Sequence, residues 1–203
     1  MNGKGKVIEY NEYCNNIYEG NYLNWKRNGK GKEYEEKEYE RFLVYEGNYL
    51  NNYRSGKGKE YFENGEIKFE GEYLDGKRLK GKEYNFNGDL KFEGEYKNGQ
   101  RWKGKIKEYD YNDELIFEGE YFPGYRKRGK EYNNTKLVYE GEYLYDKKWN
   151  GKGYDEKGNI IYELINGYGK GKEYNYFGEL IFEGEYLNGQ RLKGKEYNYF
   201  GNI

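Results

Sequence analysis

The heptapeptide Leu90-Lys91-Phe92-Glu93-Gly94-Glu95-Tyr96 recurs, with small changes, from one end of the chain to the other. In an extended strand Leu90, Phe92, Gly94 and Tyr96 share one face, and Lys91, Glu93 and Glu95 share the other. One face is therefore aromatic with a glycine at its centre, and the opposite face is a row of charges. The corresponding aromatic residue in the other copies is Tyr18, Tyr45, Phe69, Phe117, Tyr139 or Phe182, each followed by Glu-Gly. A worn copy at Tyr162 carries Leu164 where the glycine belongs. Successive aromatic positions lie 27, 24, 23, 25, 22, 23 and 20 residues apart. Such a period signals a repeat array, in which each unit buries its apolar face against its neighbours and no single large core is needed.

The cleanest unit shows what each repeat folds into. Strand A covers Phe69 to Tyr73, a turn follows at Leu74-Asp75-Gly76-Lys77, and strand B holds Gly81-Lys82-Glu83-Tyr84-Asn85-Phe86. Asn87-Gly88 then makes a second turn before the next strand A. Asp-Gly and Asn-Gly between alternating runs signal tight hairpins, because both central residues need positive φ. The spacing predicts an all-β, elongated, single-layer antiparallel meander of repeated hairpins, with about sixteen strands and hardly any helix. One array is expected over 1–203, starting and ending mid-repeat, with a degenerate unit near 162–181. Its first strand lies around Val7 to Tyr10 and its last around Lys195 to Tyr199. Gly81 and Tyr84 are three residues apart, so placing both on the aromatic face requires a bulge near Lys82 and Glu83. The acidic insertion Glu35-Glu36-Lys37-Glu38-Tyr39-Glu40 lengthens one unit, and its turn is expected to be solvated.

The glycines answer how one layer can hold so many rings. Gly94 between Phe92 and Tyr96 leaves a hole on the aromatic face, where a ring from across the strand pair can cover bare backbone. Glycine also permits bending, and the ribbon is expected to curl toward its aromatic face.

Composition narrows function. A mean hydropathy of -1.39 and 36% charged residues suit disorder, but 29 tyrosines and a net charge of -1 do not. With no histidine, His-based triads, His general bases and most zinc sites are excluded. Cys14 is the only cysteine, which fits a reducing, cytoplasmic compartment. No apolar run is long enough to form a membrane-spanning helix. The Gly3-Lys4-Gly5-Lys6 and Gly29-Lys30-Gly31-Lys32 runs lack the full phosphate-loop pattern. Paired carboxylates such as Glu93 and Glu95 recur beside lysines in nearly every unit, the pattern of cross-strand charge ladders rather than of acid–base catalysis. The chain is therefore read as a non-enzyme with no metal and no cofactor.

The run Phe69-Glu-Gly-Glu-Tyr-Leu-Asp-Gly-Lys-Arg, continuing to Gly81-Lys-Glu-Tyr and Asn87-Gly-Asp, resembles the membrane occupation and recognition nexus (MORN) repeat. About eight units cover nearly the whole chain. Strand B is usually one residue shorter in that family, and the unit at Tyr162 lacks its glycine. The resemblance implies a twisted antiparallel ribbon with an aromatic groove, and a scaffold role in binding proteins or organising assemblies, sometimes at membranes and often as dimers.

Two candidate surfaces follow. The first is the aromatic face, with Tyr22, Tyr49, Tyr73, Tyr96, Tyr121, Tyr143 and Tyr186, expected to bind a protein partner or a second copy. The open sheet ends would add to self-association as a homodimer. The second is the edge formed by the turns after strand A. It carries Trp25, Lys26, Arg27, Lys77, Arg78, Lys80, Arg101, Trp102, Lys103, Arg126, Lys127, Arg128, Lys147, Lys148, Trp149, Arg191 and Lys193. Apolar tips among cations suit an anionic lipid surface, the alternative reading. The turns after strand B lean acidic, and the near-zero net charge argues against nucleic acid.

Overall fold

The computed structural model describes residues 3–13, 16–37, 40–175 and 177–197. Cys14, the insertion residues Glu38 and Tyr39, and the end of the expected last strand at Asn198 and Tyr199 lie outside them. The described chain is all β. Its strands are β1 (Lys4–Tyr10), β2 (Asn16–Leu23), β3 (Lys26–Lys37), β4 (Glu40–Leu50), β5 (Tyr53–Tyr61), β6 (Ile67–Leu74), β7 (Lys77–Tyr84), β8 (Leu90–Lys97) and β9 (Gln100–Tyr109). They continue as β10 (Leu115–Tyr121), β11 (Arg126–Asn133), β12 (Lys136–Leu144), β13 (Lys147–Tyr154), β14 (Ile160–Ile165), β15 (Tyr168–Tyr174), β16 (Leu180–Leu187) and β17 (Gln190–Glu196). All seventeen are strands of antiparallel sheet. The expected meander is therefore present, with one strand more than expected.

The chain divides into two compact units, Met1–Gly104 and Lys105–Ile203. In the first, each strand from β1 to β8 pairs antiparallel with the next. In the second, the same holds from β10 to β17.

Except for the four-residue link 122–125 that carries Pro123, the turns after strand A are two-residue hairpins. Asp75 and Gly76 have φ of 50° and 79°, and Asn98 and Gly99 have 54° and 80°. These are the mirror-image turns whose twist matches that of the strands they join. The turn at Asn87-Gly88 differs from the expectation: only Gly88 has positive φ (87°). Asn85 instead closes a wider loop, its Oδ1 accepting from the backbone N–H of Asn87 at 3.1 Å and of Asp89 at 2.7 Å.

The bulge also recurs, one residue further on than expected, between Glu83 and Tyr84 and at Glu33/Tyr34, Glu60/Tyr61, Glu131/Tyr132 and Glu173/Tyr174. Tyr84 does not join the aromatic face. Its hydroxyl donates to Glu70 Oε1 at 2.8 Å on the charged face. Two residues beyond Gly81, Glu83 faces the rings, as simple alternation requires.

The core lies on one side of the sheet only. Tyr18, Tyr45, Phe69, Phe92, Phe117 and Tyr139 are fully buried, each worth about 1.5–3 kcal/mol by transfer from water. Each ring sits over the glycine two positions later in its own strand and also over the glycine paired with that one, so the expected cross-strand cover is present beside a same-strand one. A Cβ at Gly71 would stand 2.7 Å from Phe69 Cζ, and one at the paired Gly81 would stand 2.6 Å from it.

The worn unit solves the same problem differently. In β13 Gly153 stands where other strand-B segments carry glutamate, and the Tyr162 ring occupies that space, with Cε2 2.7 Å from a Cβ placed there. Leu164 is buried between Gly151 and Gly169, where other units seat a ring over glycine.

Candidate binding faces

On the aromatic face the strand-A tyrosines interleave with the buried rings. Tyr73 meets Tyr45 and Phe69 edge-on, at centroid separations of 5.2 and 5.5 Å. Tyr96 meets Phe69 and Phe92 at 5.5 and 5.3 Å. Tyr49 and Tyr143 are packed in the same way, Tyr186 meets Phe182 edge-on and Tyr162 at a tilt of 31°, and all five are buried. Tyr22 packs on Tyr18 and is half-buried, as is Tyr121. Edge-to-face contacts of this kind add about 0.5–1.5 kcal/mol each beyond area burial. Five of the seven tyrosines expected to line a groove for a partner therefore belong to the core itself.

Over the rings lies a lid of paired charges. Arg27, Arg54, Arg78 and Arg126 stand 4.1, 4.2, 4.4 and 4.2 Å above the rings of Tyr18, Tyr45, Phe69 and Phe117. Each guanidinium bridges two glutamates from strand-B segments. Arg78 binds Glu60, its Nε donating at 3.1 Å, and Glu83 at 3.4 Å. Glu83 also accepts from Arg101 at 2.7 Å and from the Tyr96 hydroxyl at 3.0 Å. In the first unit the ladder reads Glu9–Arg27–Glu33–Arg54–Glu60–Arg78–Glu83–Arg101. In the second it appears as Glu108–Arg126–Glu131–Lys148 and as Glu173–Arg191–Glu196. Burial raises the Glu60 and Glu83 carboxyls, but bonds from Arg78 and Arg101 outweigh it and hold both below their ordinary range. Burial pushes the Tyr18 phenol up to about 12, and pushes Tyr73 and Tyr96 further up beside their carboxylate partners.

This lid redistributes the cations assigned to the turn edge. Arg27, Arg78, Arg101, Arg126, Lys148 and Arg191 point over the rings. Lys103, Arg128 and Lys193 pair with Glu95, Glu120 and Glu185 at 3.1, 2.6 and 3.4 Å, and Lys127 lies 3.9 Å from Glu120. Lys26, Lys77, Lys80 and Lys147 are exposed and form no salt bridge among the described residues. The tryptophans also separate. Trp25 is 92% exposed in its turn, Trp102 lies under the Lys97 ammonium at 4.5 Å, and Trp149 packs beside the Gly167 turn.

The open concavity of the first unit lies on the opposite face, a hollow of about 1550 Å³ reaching from β1 to β8. The hollow is a trough between two rows of charged side chains that flank the bare backbone of the glycines. In-register glycines, Gly20, Gly31, Gly47, Gly58, Gly71, Gly81 and Gly94, run along its floor. One wall alternates strictly in sign across the strands: Glu19, Lys32, Glu46, Lys59, Glu70, Lys82, Glu93. The other wall begins Lys6, Asn21, Lys30, Asn48, Lys57 and ends Glu72, Lys80, Glu95. These wall residues are the period-two complement of the rings, which the sequence reading took as cross-strand charge ladders, with Lys80 counted in the basic turn edge.

Among the described residues no cluster of Asp, Glu, Cys or His could hold a metal ion. No helix is long and apolar enough to cross a membrane, which says nothing of strands. Compared with models of known protein families and with curated proteins, the chain has no match.

Proposed function

We propose that this chain is a repeat scaffold that binds another protein through the charged, concave face of its first unit. The observation that carries this reading is the division of labour between the two faces. The rings are consumed in packing one another and carrying the arginine lid, whereas the hollow behind them is open and lined by ordered rows of charge. Fixed charge rows confer specificity and speed of encounter more than raw affinity, which suits an organising scaffold.

The test is affinity capture with the full chain and with Lys32→Glu/Lys59→Glu, two changes inside the hollow. Proteins retained by the native chain should be lost by the variant while its circular-dichroism β signal at the assay temperature is kept. An identical captured set would contradict the reading.

Attachment to anionic lipid through the turn edge is the second reading, favoured by the exposed Trp25 beside Lys26. Binding to phosphatidylserine vesicles that is lost in Trp25→Ser would support it.

A further inference from the structure

The two walls of the hollow do not carry the same charge along their length, and two residues enlarge the difference. In the intact later repeats the residue after the strand-A glycine is glutamate: Glu72, Glu95, Glu120, Glu142 and Glu185. In the first two repeats it is asparagine, at Asn21 and Asn48. Elsewhere this glutamate balances a cation across the strand pair, as Glu95 does for Lys103 at 3.1 Å and Glu120 for Arg128 at 2.6 Å. Lys6 faces Asn21 and Lys30 faces Asn48, so neither ammonium has that partner. Asn48 turns its amide to the Lys57 carbonyl at 3.4 Å.

The hollow is therefore polarised along its length. Lining residues from β1 to β5 comprise five lysines and two glutamates, a net charge of +3. Those from β6 to β8 comprise two lysines and four glutamates, a net charge of -2.

We infer that the occupant of this hollow is a polypeptide segment with segregated charge, its acidic part over Lys6, Lys30 and Lys57 and its basic part over Glu72 and Glu95. This rests on the reading of the charged face as the docking surface, and adds the chemistry and direction of what docks there. Seven inter-strand steps of about 4.8 Å give roughly 34 Å of track, which about ten extended residues would span. A lipid surface fits poorly: the positive pole lies inside a concave face, and Glu19 and Glu46 line the facing wall. A phosphate chain would meet the same carboxylates.

The experiment measures binding of the full chain to two labelled peptides of about ten residues and identical composition. One carries its glutamates and lysines in separate blocks, and the other alternates them. The block peptide should bind roughly tenfold more tightly, a difference of about 1.4 kcal/mol, with affinity falling as salt rises. Asn21→Glu/Asn48→Glu restores what later repeats carry and lowers the β1–β5 lining from +3 to +1, so it should keep the fold and reduce the preference. Lys30→Gln should weaken block-peptide binding on its own.

Equal binding of the two peptides, no binding of either, or an unchanged preference in the double variant would overturn the inference. So would phosphatidylserine vesicles that bind the native chain and are released by the double variant. If the block peptide fails while Lys32→Glu/Lys59→Glu still loses captured partners, the charge-segregated occupant is wrong and the docking face stands.

Discussion

Phe69 lies over Gly71, two residues along its own strand, and a Cβ at that glycine would stand 2.7 Å from the ring's Cζ. The glycine is the seat of the ring, and the paired Gly81 is the other half of the seat. A side chain there would meet backbone as well as ring, since the Lys80 carbonyl closes the same space. Gly71→Ala and Gly94→Val should each cost about 3 kcal/mol, at the upper end of overpacking penalties. Thermal unfolding followed by circular dichroism measures this, and an unchanged melt would show that the rings can be seated elsewhere.

The arginine lid makes a separate prediction. Arg78 reaches Glu60 and Glu83 at once while covering Phe69. Lysine cannot make both contacts from one ammonium with the same planarity. Where lysine does occupy this position, at Lys148, it pairs with Glu131 alone at 2.7 Å, and the next strand-B glutamate is replaced by Gly153. Arg78→Lys should therefore destabilise by about 1–2 kcal/mol, less than the loss expected for breaking a fully buried pair. Arg78→Lys combined with Glu60→Gln should cost less than the sum of the two single changes, because both act on one network.

The worn repeat predicts that restoring the common pattern does harm. Leu164 fills the space between Gly151 and Gly169, and the Tyr162 ring already lies against Gly153. Leu164→Gly should leave a void and cost about 3 kcal/mol, in the range of large-to-small core changes. Chemical denaturation would measure it, and a stabilised variant would show that Leu164 is merely tolerated.

The chain should be sensitive to alkali in a defined way. Tyr18, Tyr34, Tyr84, Tyr132 and Tyr162 have phenols raised from 10.0 to about 12, with burial the largest cause. A raised folded-state value means that the contribution to stability is complete below pH 10 and is lost as pH rises toward 12. Tyrosinate absorbance should then rise together with the loss of the β signal. At the acid end Glu60 and Glu83 are lowered from 4.5, so their contribution is complete above that value and is lost as pH falls through their folded-state values.

The meander, the repeat boundaries and the strand-A turns were readable because period-two patterning and Asp-Gly or Asn-Gly pairs act locally. The faces were harder. Tyr84 was placed with the rings because aromatic residues usually pack together, yet its spacing from Gly81 put Glu83 on that face and Tyr84 on the other. Arg78 was read as an edge charge because it follows a turn. Its length lets the guanidinium turn back over Phe69, a contact set by hairpin register that no single repeat reveals.

The central claim is that the concave charged face, and not the aromatic face or the turn edge, meets the partner. The most direct test is lysine acetylation mapped residue by residue, on the free chain and on the chain recovered with its captured partner. The account predicts that Lys30, Lys32, Lys57 and Lys59 react in the free chain and are protected in the complex, while Lys26, Lys77 and Lys147 are modified equally in both. Protection confined to those three turn lysines, with the lysines of the hollow reacting equally in both, would contradict it.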